Sequence, residues 1–299
     1  MMFPIAHVLG SKKIDIKSTL KDLGYKKLEF SMSKTGPKFV YHLAEHETTI
    51  SLGIEAINRL ECKCPNAFSN VEVLVSVTET PELVFPGNAA KYASTFDINT
   101  SCELFDINSG CTGFLDALSL VLRLGKKSII VCSEAYSKHM NQFERSTLPL
   151  FSDGAAAVYI DPSQYKVIDE EFKYIKDTSE TISSEVGGGL KMAGPEVYLF
   201  TQNSVMPLIT RYLNKYKDIT VLFAHQGSLL VVDSIKNQVG SRNVDFPTNI
   251  VERGNLVSAT LPILMDDYFL NGNVVKDGKV LLVGFGVGLQ IRAMVLEKN

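Results

Sequence analysis

The chain has 299 residues, 45% of them hydrophobic and 21% charged, which is the composition of a globular protein with one large domain or two medium ones. Its formal net charge of −3 and the lack of a basic cluster argue against nucleic acid as a partner. No apolar run reaches the ~18–20 residues that span a bilayer, and the start has no basic-then-apolar signal pattern, so we expect no membrane segment.

Short apolar runs rich in β-branched residues alternate with helical patterns, which indicates an α/β protein with buried strands. In chain order the pattern predicts a helix at 46–60, a strand at 71–77, a helix at 112–124, strands at 128–132 and 155–160, a helix at 196–214, a strand at 220–224, a helix at 256–270, and strands at 279–285 and 293–297.

The predicted elements fall into two halves with the same order: a strand, a loop, a helix and two further strands. A polar stretch at 161–190, which we expect to be irregular, separates them. We place the halves at 1–165 and 166–299. Two copies of one αβ layer packed together would form a single pseudo-symmetric core.

The five cysteines are odd in number and lack the spacing of a disulfide framework. Cys62 and Cys64 are separated by one residue, which is too few for the usual zinc pair. We therefore expect a reducing, cytoplasmic location. Cys102 and Cys132 fit the usual behaviour of a free cysteine, which is to pack in the core.

Cys111 differs from the other cysteines because it lies in the segment "SGCTG", directly before an apolar helical pattern. Gly110 and Gly113 permit a tight turn there. The N–H groups and the positive dipole end of the helix would stabilise a thiolate, whose free pKa is ~8.5, and would hold an oxyanion. A strand, turn and helix of this kind present a nucleophile. Simple core packing is the alternative.

Two further polar side chains interrupt apolar surroundings. His225 directly follows the strand predicted at 220–224, where open α/β sheets bind their ligands. Asn255 lies between a glycine and the helical pattern at 256–270. Either residue also has a structural interpretation, the histidine as a core residue and the asparagine as the N-cap of that helix. Their occurrence together with Cys111 favours a catalytic set.

These residues belong to a longer series of motifs. In chain order the motifs are TETPELVFPGNAA, FDINSGCTGFLDAL, LPLFSDGAAAVYI, LKMAGPEVYLF, AHQG, RGNLVSATLP and KVLLVGFGVGL. In their order and spacing they resemble the 3-oxoacyl-(acyl-carrier-protein) synthase III family, condensing enzymes of the thiolase fold, from about residue 30 to residue 296. The resemblance implies a layered αβαβα arrangement of two pseudo-duplicated halves.

The resemblance also implies a reaction, in which Cys111 takes an acyl group as a thioester. His225 and Asn255 would bind the carbonyl of a malonyl-type thioester and stabilise the enolate that forms as carbon dioxide leaves. That carbanion would attack the acyl-cysteine in a Claisen condensation with ping-pong kinetics. The family therefore implies an acyltransferase of lipid or fatty-acid biosynthesis, and the presence of all three residues in this chain argues against an inactive subunit.

By the same resemblance, a second oxyanion site would use backbone N–H groups of Cys111 and of the loop Gly286, Val287 and Gly288. A plain turn at a strand end is the alternative. The loop does not indicate a dinucleotide site, because a strand pattern follows it instead of a helix. Val287 stands where the family often has a third glycine, and a valine does not easily adopt a positive φ.

Phe85 aligns with a family residue that reaches across a dimer interface into the partner's acyl tunnel, which implies a homodimer. A core aromatic residue before Pro86 is an equal alternative. The family's substrates are thioesters of acyl-carrier protein or coenzyme A, and we expect no permanently bound cofactor and no metal.

The mouth of the expected site departs from the family pattern. Phe30 replaces a tryptophan that can stack on adenine, Ser228 replaces an asparagine that holds the pantetheine arm, and Leu230 replaces a phosphate-binding arginine. We therefore expect weak binding of free coenzyme A esters and acyl-carrier protein as the main donor. Val287 and the short region 161–190 leave acyl transfer to an alcohol or amine as an alternative reaction. The residues expected to contact the substrate are Phe85, Phe30, Lys34, Arg145, Gly194 and Ser228.

Two unrelated enzyme classes share parts of these patterns. The segment HLAEH fits the H-x-x-E-H pattern of zinc peptidases, with His42 and His46 on one helix face and Glu45 beside them. No later segment supplies the third acidic ligand, and so short a pattern is common by chance. Papain-like peptidases share the order Cys, His, Asn, but their nucleophile lies near the mature amino terminus in a context that Cys111 lacks. A binding module without activity would leave the three residues unexplained.

Overall fold

The computed structural model describes residues 3–65, 68–96, 98–140, 147–176, 180–185, 188–275 and 278–299. The first part of the chain forms β1 (Ile5–Leu9), β2 (Lys12–Asp15), α1 (Ile16–Asp22), α2 (Leu28–Thr35), β3 (Phe39–His42), α3 (Thr49–Lys63), β4 (Val73–Val77), α4 (Asn88–Thr95), β5 (Glu103–Ile107), α5 (Gly113–Leu124), β6 (Ser128–Glu134) and β7 (Gly154–Ile160). The second part forms β8 (Tyr165–Tyr174), β9 (Ile182–Ser183), β10 (Lys191–Met192), α6 (Gly194–Phe200), α7 (Met206–Lys215), β11 (Ile219–Ala224), α8 (Leu229–Val239), α9 (Ile250–Arg253), α10 (Thr260–Leu270), β12 (Lys279–Gly286) and β13 (Gln290–Lys298).

The first sheet has the strand order β1-β7-β6-β4-β5. β4 runs parallel to β5 and β6, and β7 is antiparallel to β6 and β1. Every residue of β4 is buried. Since alternate residues point to opposite sides of a strand, both faces of β4 are covered. Val75 packs in the cluster that contains α5, whereas Leu74 packs in the cluster that contains α3.

The second sheet, read from β8, has the order β8-β13-β12-β11. β11 and β12 are parallel, and β13 is antiparallel to β12 and β8, so these four strands repeat the order and directions of β1, β7, β6 and β4. One face packs against α7 and α8, and the other contributes to the same core cluster as α5 and α10. Helices thus lie outside each sheet and between the two, which confirms the predicted αβαβα layers.

The predicted strands are all present, but three predicted segments need correction. The region 161–190 is not wholly irregular, since β8 forms a ten-residue strand on the sheet edge, where its polar side chains remain partly exposed. The helix predicted at 196–214 is divided by a π-helical turn at 201–205, after which α7 begins at Met206 with Pro207 in its first turn. The helix predicted at 256–270 starts only at Thr260, after a 3-10 turn.

The zinc-peptidase alternative is wrong in its structural premise. His42 ends strand β3, and residues 43–48 form a turn, so the helix face that the pattern requires does not exist. Across the described ranges, no group of three or more His, Cys, Asp or Glu side chains is placed to hold a metal. In the same ranges, no helix has both the length and the apolar character needed to cross a bilayer.

Candidate active site

The Cys111 turn forms as the sequence predicts. β5 ends at Ile107, a 3-10 turn covers Gly110–Thr112, and α5 follows. Gly110 has φ +49°, a conformation that favours glycine. Gly113 has no room for a side chain, because a Cβ there would lie 2.5 Å from Cγ1 of Val77. The glycines therefore let the turn pack tightly on β4 and place Cys111 at the amino end of α5.

The glycine loop after β12 lies directly against the thiol. A Cβ on Gly286 would lie 2.8 Å from both Cβ and Sγ of Cys111, so only glycine permits this approach. The backbone N–H of Val287 donates a hydrogen bond to the Cys111 sulfur. The left-handed conformation falls on Gly288, at φ +66°, and on Leu289, at φ +48°, and not on Val287. The valine therefore keeps its N–H in place without a positive φ.

His225 follows β11 and is 2% exposed. Its ring meets Phe285 edge-on, with 5.5 Å between the ring centroids. Burial lowers the pKa of His225 to about 3, so the imidazole is neutral near pH 7. Nδ1 has no hydrogen-bond partner among the described residues, whereas the ring borders the cavity described below. The side chain is therefore a neutral polar group in apolar surroundings.

Asn255 is fixed by hydrogen bonds on both sides of its amide. Oδ1 accepts from the N–H of Val257 at 2.9 Å, and Nδ2 donates to the carbonyl of Gly227 at 3.4 Å. The first of these hydrogen bonds resembles a helix cap, so the alternative of Asn255 as an N-cap is partly confirmed. Val257 has φ +53°, which is unfavourable for a β-branched residue and holds the turn in a strained shape. One Nδ2 hydrogen remains for a ligand.

One cavity of about 500 Å³ joins these groups. Cys111, His225, Asn255, Gly286 and Val287 all line it. We name as its inner end the part lined by side chains that pack in one cluster with Cys111, namely Tyr136, Leu150, Phe151, Ile182 and Met192. We name as its mouth the part lined by the exposed Lys34 and Leu230 and the half-buried Thr35, Gly194 and Ser228.

Two family models match the chain. The model described as 3-Oxoacyl-[acyl-carrier-protein (ACP)] synthase III matches residues 105–174, and the model of the C-terminal part of the same enzyme matches residues 213–298. The chain belongs to the 3-oxoacyl-(acyl-carrier-protein) synthase III family. It is therefore an enzyme of the acyltransferase class, a condensing enzyme with a thiolase fold.

Individual relatives are similar to this chain over most of its length. A beta-ketoacyl-[acyl-carrier-protein] synthase III of Streptococcus agalactiae is 29% identical over 290 residues, which cover 89% of each chain. The structure of 3-oxoacyl-[acyl-carrier-protein] synthase III from Aquifex aeolicus is similar with a TM-score of 0.87, 21% identity and 99% of each chain covered. The priming beta-ketosynthase of the R1128 polyketide pathway also has a TM-score of 0.87, with 21% identity and 98% of this chain and 94% of that chain covered.

The predicted substrate contacts of this synthase III family member lie in different places. Lys34, Gly194 and Ser228 line the mouth, and Ser228 also caps α8 through the N–H of Val231. Phe30 is 59% exposed and lies beneath the Lys34 ammonium, 4.4 Å from ring centroid to Nζ. Arg145 lies outside the described residues, so its predicted contact stays a prediction.

Phe85 is 83% exposed and does not line the cavity of its own chain. The alternative of a core aromatic is therefore wrong. Val84 beside it is also exposed, which leaves an apolar segment on the surface of the chain.

The sequence did not predict two carboxyl groups near Cys111, the half-buried Glu79 and the buried Glu134. The carboxyl of Glu79 packs on Gly110, where a Cβ would lie 2.8 Å from Oε1, and it accepts a hydrogen bond from the Tyr136 hydroxyl. Glu134 is fully buried at the end of β6, and its carboxyl accepts from the Ser258 hydroxyl and from the N–H of Glu79. Burial, with Glu79 nearby, raises the pKa of Glu134 to about 8, and burial also raises that of Glu79.

These carboxyls change the expectation for the thiol. Burial raises the pKa of the Cys111 thiol. The nearby carboxyls of Glu79 and Glu134 raise it further, whereas the Val287 N–H lowers it. The direction is opposite to that expected from the helix end, so the resting side chain is a thiol. A signal for Glu79 was present, since it follows a buried strand as His225 does.

Proposed function

We propose that Cys111 carries an acyl group as a thioester and that the acyl-enzyme condenses with a malonyl-type thioester as carbon dioxide leaves. One observation carries the proposal: the thiol of Cys111, the side chains of His225 and Asn255, and the Gly286–Val287 backbone line a single cavity. A nucleophile, neutral donors and backbone N–H groups are the parts that this reaction needs.

In the first step, the Cys111 sulfur adds to the carbonyl of the donor thioester. The bond from that carbonyl to the donor sulfur breaks, and the donor leaves as a thiol with the proton from Cys111. The N–H of Val287 reaches the sulfur, and the start of α5 lies at the same point, so positive dipole ends face the developing oxyanion. These groups offset the unfavourable burial of the thiolate.

In the second step, His225 and the free Nδ2 hydrogen of Asn255 donate to the thioester carbonyl of the malonyl group. The carbon–carbon bond to the carboxylate breaks, carbon dioxide leaves, and the enolate forms a new bond to the acyl carbon. The Cys111 thiolate is then released and takes up a proton. A neutral imidazole suits this role, because it donates a hydrogen bond without a charge that the apolar cavity would have to bury.

The mouth of the cavity supports an acyl-carrier protein as the main donor. Lys34 is exposed there, whereas Leu230 offers no charge to the phosphates of free coenzyme A. No permanently bound cofactor is needed for either step. We also propose a homodimer, because Val84 and Phe85 expose apolar surface that a second copy would cover.

A mass measurement tests the proposal. The intact protein is incubated with a short acyl-carrier protein and weighed, beside Cys111→Ala and beside Cys62→Ala, which removes an exposed cysteine as a control. We expect one acyl adduct in the wild type and in Cys62→Ala and none in Cys111→Ala. Addition of malonyl-carrier protein should discharge the adduct into a longer product. An adduct that persists in Cys111→Ala, or no adduct from any donor on folded protein, would contradict the acyl-enzyme.

Transfer to an alcohol or amine is the second candidate. Ser228 and Leu230 reduce the polar contacts available to a second pantetheine arm, which favours a smaller acceptor at the mouth. In that case, malonyl-carrier protein leaves the adduct intact, and an alcohol or amine discharges it without release of carbon dioxide.

A further inference from the structure

Two stacked aromatic rings form a wall of the cavity at its inner end. The rings of Tyr136 and Phe151 stack with 5.0 Å between centroids and 30° between planes. Both side chains are buried and pack in the same cluster as Cys111. An acyl group on Cys111 that lies in the inner end therefore shares that space with the Tyr136 ring.

A hydrogen bond holds that ring in place. The Tyr136 hydroxyl donates to Oε2 of Glu79, whose carboxyl packs on Gly110 and whose N–H donates to Glu134 at 3.1 Å. If Tyr136 turned aside, the half-buried Glu79 carboxyl would lose the hydrogen bond from the Tyr136 hydroxyl, which is unfavourable for a group largely removed from water. The wall is therefore anchored to the backbone that precedes the nucleophile.

The rest of the inner end is apolar. Leu150, Ile182 and Met192 line it, and the Tyr136 hydroxyl is already engaged. A polar or charged acyl group would lose its water there without a replacement partner. An alkyl group fits until it reaches the ring.

We propose that Tyr136, positioned by Glu79, ends the acyl compartment and restricts the group on Cys111 to short alkyl chains. This inference rests on the acyl-enzyme function proposed above. The competing possibility is that Phe85 of a second copy ends the compartment, so the two residues must be compared directly.

The test uses thioesters of N-acetylcysteamine with straight acyl chains of increasing length, from acetyl to decanoyl, because these small donors need little of the mouth. The rate of adduct formation on Cys111 is followed by intact mass. In the wild type we expect the rate to fall by ~10–200-fold at the first methylene that meets the ring, which is the discrimination typical of a closed apolar pocket. Tyr136→Ala should move this fall to longer chains, whereas Tyr136→Phe, which keeps the ring, should not.

The role of Glu79 is tested in the same assay. Glu79→Gln keeps an acceptor for the Tyr136 hydroxyl and should keep the wild-type length limit. Glu79→Ala removes the acceptor that holds the Tyr136 hydroxyl. The acylation rate should then decrease gradually with chain length, since the ring is no longer held. Rescue by glutamine distinguishes positioning from a requirement for the carboxylate charge.

The outcomes distinguish failure of the inference about Tyr136 from failure of the proposed acyl-enzyme function. The inference is overturned if Tyr136→Ala is acylated with the wild-type length limit, or if Phe85→Ala alone moves that limit. Absence of any adduct on folded wild-type protein would overturn the acyl-enzyme function itself. Thermal unfolding checks each variant, and Tyr136→Leu, which also shortens the side chain, replaces Tyr136→Ala if the latter does not fold.

Discussion

The two sheets place different chemistry at equivalent strand ends. After β4 and at the end of β6, the first sheet carries the carboxyls of Glu79 and Glu134. After β11 and at the end of β12, the second sheet carries neutral His225 and Gly286. Both inner helices, α5 and α10, begin with a 3-10 turn. One arrangement of strands thus supplies two electrostatic environments.

The difference decides what each side of the cavity can do. The carboxyls of the first half help to keep Cys111 protonated until a donor arrives and hold the Tyr136 wall. Among the described residues of the second half, those that line the cavity carry no charge, since burial keeps His225 neutral and Asn255 is an amide. We infer that Cys111 of the first half serves acylation together with the Gly286–Val287 loop of the second, whereas His225 and Asn255 of the second half serve decarboxylation.

The largest effect on acylation is expected from Gly286→Ala. The new Cβ would lie 2.8 Å from the Cys111 sulfur and from its Cβ, so the loop must move and take the Val287 N–H with it. Loss of one such donor typically slows a reaction by ~10²–10³-fold, and we expect acylation to fall in that range. The measurement is the rate of adduct formation by intact mass.

Gly272→Ala is the matched control for Gly286→Ala. Gly272 also has a positive φ, +80°, but nothing lies within 4 Å of its Cβ position. The control should lose up to about 1–2 kcal/mol of stability from its strained conformation and acylate at the wild-type rate. Equal acylation by the two variants would show that contact between the loop and the thiol is unimportant.

The stability of the protein should depend on pH because His225 binds a proton more readily when the chain is unfolded. Its pKa is lowered to about 3 in the folded protein, whereas it is ~6.5 when unfolded, so between these values the unfolded chain binds the extra proton. The free energy of unfolding should therefore fall as the pH drops below 6.5. At pH 5 this loss is about 2 kcal/mol, from the size of a pKa unit. His225→Gln should remove that part of the pH dependence.

Urea unfolding of the wild type and of His225→Gln, at pH 7.5 and pH 5, measures this difference. The same slope in both proteins would mean that the buried histidine binds a proton in the folded state. The neutral-donor role proposed for the second half would then fail.

The smallest effect is expected at the mouth. Lys34 is exposed, and its ammonium lies over the Phe30 ring. Ion pairs of exposed charges contribute only ~0–1 kcal/mol to an interaction. Lys34→Ala should therefore raise KM for acyl-carrier protein by no more than about fivefold and leave kcat unchanged. Lys13→Ala is the control, since Lys13 lies over Phe39 in the same way, at 3.8 Å, but does not line this cavity. A fall in kcat would place Lys34 in the chemical steps instead.

The sequence predicted the parts of the fold and site that local patterns determine. Cys111, His225 and Asn255 each lie where an apolar run begins or ends, so their positions follow from strand and helix limits. β8 was missed because an edge strand with a polar face lacks a clear apolar run. Glu79 was missed as a site residue because its bond to Tyr136 joins residues far apart in sequence, and only the sheet brings their side chains together. The thiol pKa depends on that same contact.

The division of roles between acylation and decarboxylation is tested most directly by acylation and discharge of Asn255→Ala in separate steps. The protein is first loaded with an acyl group, then mixed with malonyl-carrier protein, and the adduct mass is followed with time, with Asn271→Ala at the end of α10 as the control. We predict that Asn255→Ala loads within a few-fold of the wild type but discharges ~10²–10³-fold more slowly, since it lacks one donor to the enolate. Equal slowing of both steps, or discharge at the wild-type rate, would contradict it.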